Sequence, residues 1–162
     1  MIFVALGTEK FPFDRLVRAL DEAVLSGQIR ERVLIQSNVF DYVPKACETR
    51  PLIKYVEFME RIAESTCYVC HGGVGSIMTG LHLKKKPIVM PRYKALGENI
   101  DDHQVEITRR LADEDILVPC YQGESIEKLI AEAALRGRTS YENPTHDQFT
   151  IHMTQLLERQ KK

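Results

Sequence analysis

The residues with the clearest chemical purpose form one short stretch, His71-Gly72-Gly73-Val74-Gly75-Ser76, directly behind the apolar run Cys67 to Cys70. That run has the length of a buried strand. Glycines at 72, 73 and 75 permit positive φ and bare the backbone to a ligand. Ser76 leads into Ile77, Met78, Leu81 and Leu83, a series that suits a helix whose first N–H groups point back into the turn. Such a helix start favours an anion twice, through its unpaired donors and through its dipole. Strand, glycine turn and helix together predict a phosphate cradle, and the ligand expected there is a nucleotide diphosphate. Two plainer readings stand beside this one: the glycines make only a tight turn, or His71 is a strand-end histidine bonded to backbone.

Other chemistries fit the stretch less well. A dinucleotide fingerprint starting at Gly73-Val74-Gly75 needs a third glycine where Met78 stands, and this is not the first strand-to-helix turn of the chain. No Walker sequence occurs. Cys67 and Cys70 have C-x-x-C spacing, yet they lie inside an apolar strand and no second pair completes a zinc tetrahedron. The four cysteines are therefore expected to be structural thiols. Redox chemistry at Cys67 and Cys70 is the remote alternative.

The elements that must position the cradle can be read from periodicity. Ile2 to Leu6 is a buried first strand, and Gly7-Thr8 opens its outgoing loop. A helix follows Asp14 with Leu16, Leu20, Ala23 and Val24 on one face, ending near Gly27. Arg32 to Gln36 is a second strand, and Asn38 to Lys54 is a loop with at most one weak strand. Ile53 to Val56 reads as a short strand, and Phe58 to Ala63 as a helix. Beyond the cradle helix and its basic end, Lys84-Lys85-Lys86, a strand is expected from Pro87 to Pro91. A helix from Asp101 to Leu111 has Val105, Thr108 and Ala112 in register. Ile116 to Pro119 is a strand, and Ser125 caps a helix carrying Ile126, Leu129, Ile130 and Ala133. A polar connector then precedes a last helix, about Asp147 to Glu158, whose Phe149, Met153, Leu156 and Leu157 share one apolar face.

Strands alternating with helices predict an α/β fold, a doubly wound parallel sheet of Rossmann-like type, over residues 1–140. Residues 141–162 form the connector and C-terminal helix, which either closes over its own sheet or docks on a partner. Ligands of such sheets sit at the carboxyl ends of the strands, where strand order reverses. Gly7-Thr8, His71 to Ser76, and Arg92 to Gln104 then share one rim. The 162 residues suffice for one domain burying about two-thirds of its unfolded surface. With 22 Lys+Arg against 23 Asp+Glu there is no basic field, which argues against nucleic-acid binding. Met1 to Leu6 lacks a basic leader and is too short for a signal core, and no apolar run approaches the ~20 residues of a spanning helix. A cytoplasmic chain is expected. The basic run Lys84-Lys85-Lys86 is either a contact for anionic lipid or a solvated helix end complementing its dipole.

Phe3-Val4-Ala5-Leu6-Gly7-Thr8, the turn His71 to Ile77, and Pro91-Arg92 followed by Gly97-Glu98-Asn99-Ile100-Asp101-Asp102-His103-Gln104 carry a resemblance over nearly the whole chain. In this order they resemble the small donor-binding subunit of bacterial two-component glycosyltransferases for capsule and exopolysaccharide. That subunit is similar to the catalytic subunit of the dolichol-pathway N-acetylglucosaminyltransferase. It is also similar to the C-terminal half of the GT-B enzymes that make lipid II, the family 28 C-terminal domain.

The resemblance implies a UDP-sugar donor, no metal and no further cofactor. Carried over by position, Gly72, Gly73, Gly75 and Ser76 contact the diphosphate, with His71 beside them, and Gly7 and Thr8 line the cleft floor. Arg92, Glu98, Asp101, Asp102, His103 and Gln104 belong to the sugar or phosphate end. Carboxylates and a Gln amide can bind vicinal hydroxyls there. The alternative for Asp101-Asp102 is plain helix capping. Relatives carry a ribose-binding Glu where this chain has Thr79, and a helix-ending Gly where it has Lys84. The implied activity is inverting transfer of a hexose or hexuronic acid to a polyprenyl-linked acceptor, and the competing class is a non-catalytic nucleotide-sugar-binding regulatory module. A GT-B site lies between two domains and this chain supplies one. A membrane-associated, acceptor-binding partner is therefore implied, recruiting the chain to the cytoplasmic face of the membrane. The general base is unassigned: candidates are His71, Asp102, His103 or a residue of that partner.

Overall fold

The computed structural model describes residues 1–39 and 41–135. The expected connector and terminal helix at 141–162 lie outside the described residues. Within them the chain runs β1 (Ile2–Ala5), α1 (Asp14–Leu25), β2 (Val33–Gln36), β3 (Glu48–Arg50), α2 (Tyr55–Glu64), β4 (Cys67–His71), α3 (Val74–His82), β5 (Ile88–Met90), α4 (His103–Asp113), β6 (Val118–Pro119) and α5 (Ile126–Leu135). The strands form one sheet in the order β3-β2-β1-β4-β5-β6, with every pairing parallel.

Strand periodicity distributes the core between two faces. Ile2, Val4, Val33, Ile35 and Val69 point to the layer of α1 and α5, where Leu16, Val17, Leu20, Ile126 and Ile130 cover them. Phe3, Ala5, Leu34, Tyr68, Cys70 and Val89 point the other way, under Ile62 of α2, Ile77 and Leu81 of α3, and Leu111 of α4. The central strands are buried on both sides, which is why they read as continuous apolar runs. The doubly wound parallel sheet expected from the alternation of elements is thus the observed fold.

Four local expectations change. Ile53 to Val56 is not a strand: Tyr55 and Val56 begin α2, and the weak strand of that region is the exposed Glu48–Arg50 at the sheet edge. The strand expected from Ile116 shortens to Val118–Pro119, with Ile116 and Leu117 buried just before it. The buried face of α4 is Gln104, Thr108 and Leu111, one residue out of phase with the expected Val105 and Ala112. Ser125 sends its hydroxyl to the Glu127 carboxylate.

Cys67 packs in the α1/α5 layer and Cys70 in the opposite one. Residues three apart on a strand face opposite ways, so the C-x-x-C pair cannot join across the sheet. Burial pushes the Cys67 thiol up to about 12, far from a reactive thiolate. The basic run is also spoken for. Lys85 Nζ donates to the Ser65 carbonyl at 2.6 Å, and Lys86 Nζ pairs with Asp115 at 2.7 Å. Lys84 adopts φ 60°, and the N–H groups of Lys84 and Lys85 return to the carbonyls of Leu81 and Gly80 at 2.9 Å each. These bonds make a left-handed helix end, the place a glycine usually takes.

One carboxylate organises the long β2–β3 connection. Asp21, on α1 and without solvent exposure, accepts from Tyr42 Oη (2.6 Å) and from the N–H groups of Lys45 (2.9 Å), Ala46 (2.7 Å) and Cys47 (3.0 Å). Burial alone would raise its pKa. The bonds from Lys45, Tyr42, Ala46 and Cys47 outweigh burial and lower it from 3.8 to about 2. The folded state therefore gains stability above the unfolded pKa and loses it as pH falls through the folded one. Asp21→Asn is expected to cost about 2 kcal/mol at neutral pH. Its deficit against the wild-type chain should shrink as pH drops from about 4 to about 2. Denaturant midpoints measured across that range check both statements.

Candidate functional site

Chain order leaves β1 in one direction through β2 to β3 and in the other from β4 through β5 to β6, so the reversal lies between β1 and β4. Their carboxyl ends open on a cleft of about 610 Å³. From the β1 exit it takes Gly7 and Thr8, from the β4 exit and α3 it takes His71, Gly73, Gly75, Ser76 and Thr79, and from β2 it takes Gln36. Leu52, Ile53, Tyr55 and Phe58 complete the lining from the β3–α2 side. This is the place where parallel α/β sheets bind ligands.

His71 sets the shape of the floor. It is 7% exposed, and its Nδ1 lies 3.3 Å from the Ala5 carbonyl. A carbonyl only accepts, so Nδ1 carries the proton and Nε2 is the bare acceptor. A Cβ on Gly7 would lie 2.6 Å from the ring, and one on Gly73 only 2.2 Å from Nε2. Both glycines are thus bare because the imidazole fills their side-chain space. Gly7 also needs its φ of +81°. Burial, with the charge of Arg92 adding to it, lowers the His71 pKa from 6.5 to about 4 despite the Ala5 bond.

The glycine turn works by space and not by positive φ, contrary to expectation. Gly72, Gly73 and Gly75 all lie outside the left-handed region. A Cβ on Gly72 would meet Gln104 Cβ at 2.8 Å and Thr108 Oγ1 at 3.0 Å, so its bareness lets α4 lie close beside the turn. A Cβ on Gly75 meets nothing within 4 Å, since that position faces the open cleft. Gly73 stands at the N-cap of α3, and its carbonyl accepts from Ser76 and Ile77 at 3.1 Å each. The N–H groups of Val74 and Gly75, one turn too early for intrahelical acceptors, are left for a ligand. Thr79 Oγ1 donates to the Gly75 carbonyl at 2.8 Å and keeps its lone pairs at the cleft wall.

The second group of expected residues divides. Arg92, 2% exposed, donates to the carbonyls of Leu6 (2.8 Å), Phe11 (2.8 Å) and Glu98 (3.1 Å) and stacks 4.6 Å from the Phe13 ring. Glu98 accepts both arms of Arg15 at 2.9 Å and the Tyr93 N–H at 3.0 Å. Gln104 accepts from the Arg92 N–H at 3.2 Å. These three side chains are buried and bond inside the protein, holding loops, and none lines the cleft. Asp101, Asp102 and His103 stand at the start of α4, outside the cleft lining. Asp101 accepts from the His103 N–H at 3.1 Å, and Asp102 from the Lys94 N–H at 2.9 Å. His103 is exposed, 3.6 Å from Glu106 and 3.8 Å from Asp101.

Sequence reasoning passed over Arg15, Gln36, Tyr55 and Phe58. Gln36 had a signal: it is the one polar residue closing an otherwise apolar strand. Tyr55 was hidden by reading the start of α2 as extended, and Phe58 was read as the helix start without a place at the rim.

The family model described as Glycosyltransferase family 28 C-terminal domain matches residues 1–158. Two solved structures share the fold. ALG13, solved by NMR, is 16% identical with a TM-score of 0.60, and the alignment covers 92% of this chain and 92% of that one. The glycosyltransferase SnogD from Streptomyces nogalater is 18% identical with a TM-score of 0.56, over 84% of this chain. The match spans only about a third of SnogD, 36% of its length. No curated protein matches the chain at a significant level.

The buried imidazole makes a direct prediction. His71 should stay neutral down to about pH 4, while in the unfolded chain it protonates near 6.5. Stability from this group is therefore complete above pH 6.5 and falls as the pH is lowered toward 4. Nitrogen-15 imidazole shifts should show the Nδ1–H tautomer at pH 7 with no titration above pH 5. In Gly73→Ala the ring must move, and a titration midpoint shifted toward 6.5 is the expected outcome.

Proposed function

This chain belongs to the glycosyltransferase family 28 C-terminal domain family, and we propose that it is the donor-binding half of an inverting glycosyltransferase using a UDP-sugar. The observation that carries the proposal is the cleft at the sheet reversal, into which α3 presents free N–H groups beside the open face of Gly75. In this reading the diphosphate lies on the α3 N-terminus, held by the N–H groups of Val74 and Gly75 and by Ser76. Neutral His71, with Nε2 bare, becomes a donor to phosphate only by taking up a proton on binding. Thr79 faces the ribose, and the hexose extends toward Asp101, Asp102 and His103 at the neighbouring α4 start.

Transfer then needs an acceptor hydroxyl attacking the anomeric carbon from the face opposite UDP. The α3 dipole stabilises the departing diphosphate, which removes the need for a divalent cation. A pKa of about 4 makes His71 a weak base, so the base is assigned to a partner subunit that closes over the cleft. We assign to that partner the binding of a polyprenyl-linked acceptor in cell-surface polysaccharide synthesis and attachment to the membrane. Among the described residues no helix is long and apolar enough to cross a membrane.

Calorimetry of the chain with UDP and UDP-sugars tests donor binding, and EDTA is expected to leave the affinity unchanged. Sugar transfer measured with and without a membrane fraction holding the partner separates an enzyme subunit from a regulatory sensor: a sensor transfers in neither case. Gly75→Val should weaken UDP binding at least ~100-fold while melting within a few degrees of the wild-type chain, because its branched side chain fills the phosphate space. Unchanged UDP affinity in a folded Gly75→Val variant would remove the phosphate from α3.

A further inference from the structure

Behind the apolar wall of the cleft lies a smaller cavity of about 100 Å³. Ile53 lines both. This cavity has Phe3 and Leu34 as its apolar floor, and Arg32, Arg50 and Arg61 converge on it together with Glu57. Strand geometry explains the convergence. Leu34 faces the α2 layer, Arg32 stands two residues before it, and Arg50 is in register with Gln36, two residues after it, so alternation turns both arginines to that face. Arg61 reaches the cavity from α2, one turn beyond Glu57. Charges that merely protect an edge strand need only solvent, whereas these close on an enclosed space.

Their partners within the protein leave the cavity positive. Arg32 gives Nε and Nη2 to the Glu48 carboxylate at 2.7 and 2.6 Å. Arg61 lies 3.4 Å from Glu57 and 3.6 Å from Glu64, both long for a charged pair. The Arg50 guanidinium has no hydrogen bond or ion pair among the described residues, and it acts on Glu48 only through space. Three guanidiniums thus face one carboxylate, over a low-dielectric floor that focuses their field.

Space and charge together select the ligand. The volume is well below the ~300 Å³ at which pockets for larger organic ligands begin, so the cavity takes one small anionic group. Guanidinium forks match the oxygens of a phosphate. Glu57 adds discrimination, because a carboxylate in the lining repels a fully deprotonated anion and accepts a hydrogen bond from one that carries a proton. Phosphate and its monoesters can carry that proton near neutral pH, whereas sulfate and phosphodiesters cannot. We propose that Arg32, Arg50, Arg61 and Glu57 form a second anion site, separate from the donor cleft and selective for a phosphate group that carries a proton. The group is either free phosphate or the monoester headgroup of a lipid.

The test follows the arginine Nε–Hε signals of the full chain by NMR, at constant ionic strength, during titration with inorganic phosphate and with sulfate. Phosphate should move Arg32, Arg50 and Arg61 together, and sulfate should bind about tenfold or more weaker. Arg50→Gln should weaken phosphate about tenfold or more, and Glu57→Gln should bring sulfate and phosphate to similar affinity. Gly75→Val, altered in the cleft, should keep the wild-type response of the three arginines. Co-sedimentation with phosphatidylcholine vesicles holding phosphatidic acid or, at equal charge, phosphatidylserine separates the sources. Sedimentation with phosphatidic acid alone, lost in Arg50→Gln, assigns a lipid headgroup; sedimentation with neither, beside the arginine shifts, assigns free phosphate. Arginine signals that stay still, equal binding of sulfate and phosphate, or undiminished phosphate binding in a folded Arg50→Gln variant each overturn the inference. So does sedimentation with both lipids alike that is lost in Arg50→Gln, which would reveal a response to charge alone.

Discussion

A buried cation holds the functional rim together. Arg92 has almost no solvent contact, and its two terminal nitrogens are met by backbone carbonyls while Nε has no partner. It takes carbonyl oxygens from Leu6 and Phe11, on the loop leaving β1, and from Glu98, on the loop leaving β5. Arg15 of α1 answers from the other side, gripping Glu98 and the Pro91 carbonyl. The two arginines tie the exits of strands that flank β4 in the sheet. The glycine turn behind β4 is thereby held between two fixed walls, and Gly7 is pressed against His71.

With the walls set, the cleft acquires its two kinds of surface from topology. The β4–α3 connection contributes backbone donors and a helix dipole, because a parallel strand must return through a helix whose N-terminus opens at the carboxyl edge. The β3–α2 connection contributes apolar side chains, because α2 starts immediately at the rim with Tyr55. The imidazole of His71 occupies what would otherwise be side-chain space for both Gly7 and Gly73, so the floor is flat, neutral and bare.

Much of the fold was legible in sequence because buried parallel strands and amphipathic helices leave period-2 and period-3.6 signatures. The errors sit where that signal is weak. Glu48–Arg50 is exposed on the edge, so nothing apolar marks it, and Ile53 to Val56 carries apolar residues that serve a cleft wall and a helix start. The expected face of α4 included Thr108 but missed Gln104, which is polar and still faces inward, packed against Gly72. At the site, the glycines stand in the expected turn but without the positive φ expected of them. Their sequence spells bareness, and only the coordinates distinguish bareness for positive φ from bareness against a ring or a helix.

By itself the sequence determined the class of fold, the position of the strand-turn-helix cradle and the coming together of the Gly7 and His71 loops. These follow from local patterning plus the rule that parallel strands present their exits on one edge. Tertiary structure alone decided which polar residues face the cleft. Arg92, Glu98 and Gln104 have the same chemical capacity as Thr79 and Gln36, yet the first three spend it on carbonyls, guanidinium and backbone within the protein. Hydrogen-bonding capacity is a property of residue type, whereas its availability depends on neighbours far away in the chain. Arg15 meets Glu98 across 83 residues, a distance no local pattern spans.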